Sequence, residues 1–174
     1  MLFLKTVVYN NIYLYWHLFT IYFKNRENIE PKGTYEEYQK SFPVTHAAIM
    51  TLFDELLHPG DVFSKYPEVT KIFDMFAMAV HPHHRGKGIA TQLLNQAMIV
   101  AKKANCNASI VMATSDYTWK IFTKAGMEVI GEKEWKDCVF NGVRPFVNVE
   151  SKNVTGFFMK FWYKIHGGCM INTN

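Results

Sequence analysis

The sequence has little cysteine and no cysteine pair at metal-binding spacing. Its three cysteines, Cys106, Cys138 and Cys169, lie far apart, which argues against a disulfide framework or a structural zinc site. Such a pattern is typical of reduced cysteines in a cytoplasmic protein. An excess of one charge is also lacking, since 19 Lys and Arg face 15 Asp and Glu. That balance suits an anionic small ligand and does not predict a nucleic-acid partner.

Side chains that build a core are abundant instead. Hydrophobic residues make up 49% of the 174 positions and aromatic residues 16%, which excludes a disordered chain. The length suits a single globular domain.

The first 23 residues differ from the rest, because they are apolar and aromatic with one charge, Lys5. Two interpretations stay open. A hairpin would pair the strands Leu4–Tyr9 and Ile12–Phe19 around a turn at Asn10-Asn11. A membrane-associated segment is the alternative, although the polar residues that interrupt the run are costly in lipid.

Polar residues then form a predicted linker from Lys24 to Tyr35. Thr34 with Glu37 predicts a capping box and a short helix from Tyr35 to Ser41. A second helix is expected up to Leu57, with its stop at His58 to Asp61. We therefore expect an N-terminal segment at 1–23, the main domain at 24–166 and a flexible tail at 167–174.

The most informative stretch begins at Lys71. Residues 72–80 are nearly all apolar and predict a strand buried on both faces. A turn rich in glycine and basic residues follows, and then an amphipathic helix that Asn105 ends. The order is strand, basic turn, helix.

This order predicts a binding site for a diphosphate. The first amides of a helix lack internal partners, and the helix dipole adds positive charge there. Gly86 and Gly88 let the backbone approach an anion, while Arg85 and Lys87 add charge. The P-loop pattern is absent, because it needs a longer gap between the glycines and a Lys-Ser/Thr pair. The dinucleotide pattern fails as well, because position 91 is threonine.

The pattern Val80-x-Pro82 followed by Arg85-x-x-Gly-x-Ala90 resembles the acetyl-CoA signature of the GNAT superfamily of N-acetyltransferases. A second block agrees with it: a strand at 108–114, a Ser-capped helix to Lys124, Gly126 and another strand. The amino-acid sequence of residues 113–126 is similar to that of insect-type arylalkylamine N-acetyltransferases. The resemblance covers about residues 30–165.

The resemblance implies an α/β fold with a mixed central sheet, in which the parallel strands 72–80 and 108–114 splay apart to hold acetyl-CoA. It implies cofactor contacts from the backbone along the end of the first strand and along the turn. The implied residues are Met78, Ala79, Val80, Arg85, Gly86, Lys87, Gly88, Ile89 and Ala90. It implies no metal, and a primary amine that attacks the thioester directly.

The sequence departs from the family at the catalytic groups. Many members have a tyrosine acid where this chain has Phe122, so the resemblance transfers that role to Thr114 and Thr118, whose alternative role is helix capping. The N-terminal part that carries the general base in the family is expected to be missing here. Glu30 is interpreted as a linker residue.

Several other side chains have a structural interpretation beside a functional one. His81, His83 and His84 are expected to be exposed or beside the anion rather than metal ligands. Trp119, Trp135 and Trp162 either line an amine pocket or lie in the core. Residues 154–165 predict a strand antiparallel to 127–135. The resemblance implies that residues 140–146 form a loop on the substrate side.

Three functions remain open from the sequence. The first is an acetyl-CoA-dependent N-acetyltransferase acting on an arylalkylamine. The second is a coenzyme-binding module without turnover, because the base-bearing part is lacking. The third is a membrane-tethered form of the same domain.

Overall fold

The strands and helices of the chain follow the periodicity of its hydrophobic residues. The computed structural model describes residues 2–3, 19–161, 163–166 and 169–172, with side chains from Lys24 to Phe161. The described strands are β1 (Leu2–Phe3), β2 (Phe19–Asn25), β3 (Lys71–Met78), β4 (Ala108–Ala113), β5 (Glu128–Glu134), β6 (Asn153–Lys160), β7 (Tyr163–His166) and β8 (Cys169–Asn172). The described α-helices are α1 (Tyr35–Gln39), α2 (Val44–Leu57), α3 (Pro59–Lys65), α4 (Ile89–Lys103) and α5 (Asp116–Lys124).

Six of these strands form one mixed sheet in the order β1-β2-β3-β4-β6-β5. Strands β3 and β4 are parallel, which requires the crossover through α4, and every other neighbouring pair is antiparallel. The predicted mixed α/β sheet is therefore confirmed, including the antiparallel pairing of β5 with β6. Strands β7 and β8 pair only with each other among the described residues.

Helices cover both faces of the sheet. On one face α4 and α5 pack through a cluster that includes Phe73, Met75 and Phe157. On the other face α2 and α3 pack over residues such as Ile72 and Phe158. Helix α2 lies very close to β6, because a Cβ at position 156 would stand 3.0 Å from the carbonyl oxygen of Leu56. Glycine at that position permits this contact.

The predicted helix ends are confirmed by their caps. The Thr34 hydroxyl accepts from the Glu37 amide, and the Glu37 carboxylate accepts from the Thr34 amide. Asn105 adopts φ +56° just after α4, and the Cys106 amide donates to the Ala101 carbonyl. Gly126 likewise has a positive φ, +79°, just after α5. These local signals were sufficient to place three boundaries.

The predicted end of the second helix is confirmed, since α2 ends at Leu57 with His58 as its C-cap. The sequence did not predict the separate helix that follows. Helix α3 begins at Pro59, a position where the missing N–H of proline costs nothing. The His58 ring accepts a hydrogen bond from the Gly60 amide through Nδ1 at 3.2 Å. The Pro-Gly pair therefore follows the end of α2 and starts α3.

Other differences concern the ends of the domain. The linker expected from Lys24 includes the last two residues of β2, and the boundary expected at residue 23 falls inside that strand. The single strand expected over 154–165 appears as β6 and β7, and residues 169–172 of the expected tail form β8. The hairpin or membrane segment expected at 4–9 and 12–19 lies outside the described residues, apart from Phe19 in β2. Among the described helices, none has the length and apolarity to cross a membrane.

Candidate functional site

The parallel strands of the sheet separate at one end. Hydrogen-bonded pairing of β3 with β4 runs from Ile72 opposite Ala108 to Met75 opposite Val111 and stops there. Strand β3 continues to Met78 on β2, and β4 continues to Ala113 on β6. Beyond this point β3 stays paired with β2 and β4 with β6, but β3 and β4 are no longer paired with each other. The result is a V-shaped opening between the main chains of β3 and β4, the two strands that the resemblance implied would splay apart.

A β-bulge in β3 lies beside this opening. Met75 pairs with Ile21 and Ala77 pairs with Thr20, so Phe76 is the extra residue. A bulge turns the following side chains to the other face. Accordingly, Phe76 packs toward α2, with its ring 5.9 Å from that of Phe53, while Met78 packs toward α4.

The glycine-rich turn follows directly after β3. Residues Pro82–His84 make one 3-10 turn, and Gly86 and Gly88 then adopt φ of +75° and +72°. A side chain would be strained at such φ values. A Cβ at Gly86 or Gly88 would meet no atom within 4 Å, so the turn is open to solvent. Gly88 is the N-cap of α4.

The main-chain amides from Gly86 to Thr91 have no acceptor within the described part of the chain. The first helical bond runs from the Gln92 amide to the Gly88 carbonyl. Helix α4 has 15 residues, long enough for a full N-terminal dipole. Free donors, open space and positive potential therefore coincide at this turn.

Two basic side chains flank these amides. Arg85 and Lys87 are both exposed. The Arg85 Nε donates to the carbonyl oxygen of Val80 at 3.3 Å, which holds the guanidinium beside the end of β3. This arrangement favours an anion, and its geometry suits two linked phosphates.

The start of α5 is built differently. The Thr118 amide donates to the Ser115 hydroxyl at 3.3 Å, and the Thr118 hydroxyl lies 2.8 Å from the Ser115 carbonyl, to which it donates. This is the capping role that the sequence left open for Thr118. Thr114 is exposed at the end of β4.

Phe122 is buried at 2% exposure in the cluster under α4 and α5. It packs edge-on against Phe157, with ring centroids 5.6 Å apart. A phenyl ring has no proton to donate, so the acid that the family often has at this position is absent from the described site.

The histidines of the turn and Glu30 lie at positions with an ordinary structural role. The rings of His81 and His83 lie 5.2 Å apart at the mouth of the turn, and no group of three potential metal ligands occurs among the described side chains. Glu30 is exposed, and its carbonyl oxygen lies 2.9 Å from Nε2 of His58. Its main chain thus anchors the segment before α1.

The loop between β5 and β6 lines the larger of two described cavities. This cavity has a volume of about 430 Å³ and includes Trp135, Arg144 and Phe146. Trp135 is buried and Trp119 is partly exposed at 39%, while Trp162 lies outside the described residues. The loop expected on the substrate side contributes Arg144 and Phe146 to this open depression.

Sequence reasoning missed Asp74. It is the one carboxylate in the apolar run 72–80, and that interruption was the available signal. It is 1% exposed, and its Oδ1 has no hydrogen-bond partner among the described side chains. Burial raises the pKa of this carboxyl to about 7, against a smaller lowering by Lys24.

The strand, turn and helix that form this site also match a known family. Residues 56–127 match the model of the Acetyltransferase (GNAT) family. Residues 56–127 are therefore similar to a GNAT acetyltransferase domain. The matched region spans α3, β3, the turn, α4, β4 and α5.

Solved structures support the same fold over a longer stretch. A mosquito arylalkylamine N-acetyltransferase-like protein 5b is 22% identical with a TM-score of 0.70, over 83% of this chain and 68% of that one. Arylalkylamine N-acetyltransferase 2 of Aedes aegypti is 16% identical at 0.70, over 83% and 67%. A polyamine N-acetyltransferase of Drosophila melanogaster that forms N-acetylagmatine is 18% identical at 0.67, over 83% and 68%. At these identities the likeness concerns the fold alone.

Proposed function

We propose that this protein is an acetyl-CoA-dependent N-acetyltransferase that acts on small primary amines of the arylalkylamine class. The observation that carries the proposal is the row of acceptor-free amides from Gly86 to Thr91, which lies at the end of two diverging parallel strands. In a GNAT domain, this combination suits a ligand with a diphosphate at one end and an extended arm at the other.

The chain's own groups fit acetyl-CoA in two parts. The diphosphate would lie on the amides of the turn, from Gly86 to Ala90, with Arg85 and Lys87 beside it. The extended arm would enter the V-shaped opening, where Met78, Ala79 and Val80 lie beyond the β3–β4 pairing. Acetyl-CoA supplies an acetyl group activated as a thioester.

Hydroxyl groups at the end of β4 are proposed to complete the site. Thr114 is exposed there, and Thr118 lies one turn into α5. We assign to Thr114 the delivery of a proton to the departing sulfur. Thr118 holds the start of α5 through its bonds to Ser115, and it thereby positions Thr114.

The amine class is supported by the residue pattern at 113–126 and by the cavity that Trp135 and Phe146 line. Aromatic walls suit an aryl group. The similar structures include enzymes named for polyamine and agmatine as well as for arylalkylamines, so aliphatic diamines belong in the same substrate panel.

A coenzyme-binding module without turnover is the second candidate. The buried Phe122 favours it, because no acid is present where many family members have one.

One assay separates the two candidates. The purified chain is mixed with acetyl-CoA and tryptamine, dopamine or agmatine, and the release of free thiol is followed. Thiol release above a protein-free control with an aryl amine supports the proposal. Release with agmatine alone would assign the polyamine class. Binding of acetyl-CoA without release would select the inactive module.

A further inference from the structure

Three histidines come directly before the glycines of the α4 turn. His81 is the N-cap of the 3-10 turn Pro82–His84, which contains the other two. The ring of His81 lies 5.2 Å from that of His83 and 5.9 Å from that of His84. His83 is exposed and His81 is half-buried. Three imidazoles therefore share one accessible corner of the molecule, next in the chain to the amides that have no acceptor.

The stretch of chain that carries this corner contains no acidic residue. The sequence has neither Asp nor Glu from Met75 to Ser115, which includes the end of β3, the turn, all of α4 and all of β4. The β2 residues that pair with the end of β3, Phe19 and Thr20, are also uncharged. The charged side chains of the turn itself are the exposed Arg85 and Lys87. The corner is therefore positive and attracts anions.

The charged groups that border this stretch face elsewhere. Asp74 is 1% exposed, and by the alternation of side chains along β3 it lies on the face toward α2 and α3. The Asp116 carboxylate accepts a hydrogen bond from the Ser151 hydroxyl. Lys24 pairs with Ile72 at the far end of β3. Among the described residues, the fixed charges at the histidines are thus those of the turn.

The ring of His81 has a structural role that holds only while the ring is neutral. Its Nδ1 accepts a hydrogen bond from the His83 amide at 3.4 Å, a long and therefore weak bond. In an imidazolium both ring nitrogens are donors. Protonation of His81 would therefore break a weak bond and add the His83 amide to the free donors of the turn.

We propose that His81 and His83 are binding residues for the diphosphate and that the pair takes up protons when acetyl-CoA binds. This inference rests on the proposed function, because it needs a diphosphate on the amides from Gly86 to Thr91. His83 lies three residues before Gly86, which is about 10 Å of chain at full extension and about the Debye length at 0.1 M salt. An anion at that distance favours the protonated form of an imidazole.

The sign of the pH dependence follows from this charge coupling. Histidine is the side chain whose charge changes between pH 5 and 8. Because the bound diphosphate favours the protonated rings, the complex holds more protons than the free protein, and affinity rises as the pH falls through this range. The Kd should be about fivefold lower at pH 6 than at pH 8, with an uptake of about half a proton at pH 7.

The experiment uses the acetyl thioester of dephospho-CoA as the ligand. Acetyl-CoA carries an additional phosphate monoester that itself titrates near pH ~6, and the dephospho form lacks it but keeps the diphosphate. Binding to the full chain is measured by calorimetry at pH 7 in two buffers of different ionisation enthalpy. The difference between the two binding enthalpies gives the number of protons taken up, and titrations at pH 6 and pH 8 give the change in Kd.

The double variant His81→Gln/His83→Gln removes both titrating rings and keeps polar side chains of similar size. Its proton uptake should fall below about 0.1, and its Kd should become nearly independent of pH. The matched control is His46→Gln. His46 is an exposed histidine on α2, with its ring stacked 4.4 Å from that of Phe42, and this variant should behave like the wild type.

Two calorimetric results would overturn the assignment. Proton uptake by the double variant equal to that of the wild type would show that another group titrates. Binding by the wild type without proton uptake would remove the histidines from the site and leave the proposed function intact.

A second measurement on the wild type decides the case if the double variant does not fold. At pH 7 the ligand should move the imidazole Cε1–H resonances of His81 and His83 toward their protonated positions and leave that of His46 in place. Unmoved resonances at saturation would overturn the proposal. If acetyl-CoA does not bind at all, the proposed function fails and the inference with it. If acetyl-CoA binds and its dephospho form does not, the turn does not hold the diphosphate, and the inference fails alone.

Discussion

Two helices begin at the ends of neighbouring parallel strands, and their first turns are satisfied in different ways. Helix α5 is capped by its own residues, since Ser115 and Thr118 bond to each other through side chains and main chain. Helix α4 begins at Gly88 with no side-chain cap, and its first amides have no acceptor in the described structure. A helix start that the chain itself does not satisfy is available to a ligand.

The two helix starts should also respond differently to substitution. A substitution at the α5 cap removes bonds within the protein, so it should reduce stability. At the α4 turn the first amides make no hydrogen bond within the described structure, so a substitution there should reduce ligand binding more than stability. The following predictions test that separation.

The largest effect is expected for Gly88→Trp. A bulky side chain at φ +72° would occupy the approach to the free amides, and the Kd for acetyl-CoA should rise by about 100-fold or more, which equals about 2.7 kcal/mol. Calorimetric titration measures this directly. Gly142→Trp is the matched control, because Gly142 has φ +76° and equally open surroundings, and its Kd should match wild type. Equal losses in the two variants would point to strain rather than a blocked site.

A loss of roughly tenfold in kcat is expected for Thr114→Val, because the departing sulfur would lose its proton donor. Acetyl-CoA binding should be unchanged, and stopped-time thiol release gives the rate. The control is Thr123→Val, an exposed threonine on α5. A rate for Thr114→Val equal to that of the control would exclude the hydroxyl from catalysis.

Removal of one charge at the α4 turn should have a smaller effect. Arg85→Ala should weaken acetyl-CoA binding by about fivefold, as expected for an exposed charge beside a phosphate, and the loss should shrink at high salt. Lys120→Ala, an exposed cation on α5, should not change the affinity. Salt-independent weakening in Arg85→Ala would show that its bond to Val80 matters more than its charge.

The smallest effect concerns the α5 cap. Ser115→Ala should lower the free energy of unfolding by about 1 kcal/mol, measured by urea denaturation, and should leave the Kd for acetyl-CoA unchanged. A weakened affinity with unchanged stability would reverse the roles that the structure gives to the two helix starts.

Much of this fold follows from local sequence signals. The apolar run before Pro82 predicted β3, and Thr34, Ser115 and Gly126 marked helix ends because their side chains or backbone freedom act within a few residues. The start of α3 was missed because Pro59 can end a helix or begin one, and the choice depends on the His58 ring.

The site was predictable to a different degree. The turn was visible in the residue order, since glycine and basic residues at a helix start favour an anion site. The end of β3–β4 pairing and the exposure of the turn depend on β2 and β6, which lie far away in the chain. Asp74 was missed because its burial comes from partners on other elements, and a single polar residue in an apolar run does not reveal them.

The central claim is that the main-chain amides at the start of α4 bind the diphosphate of acetyl-CoA. The most direct test is a nuclear magnetic resonance titration of the isotope-labelled protein with acetyl-CoA. The account predicts large amide shifts from Gly86 to Thr91 and small ones at Ser115 to Thr118. Saturable binding that leaves the resonances of Gly86 and Gly88 in place would contradict it.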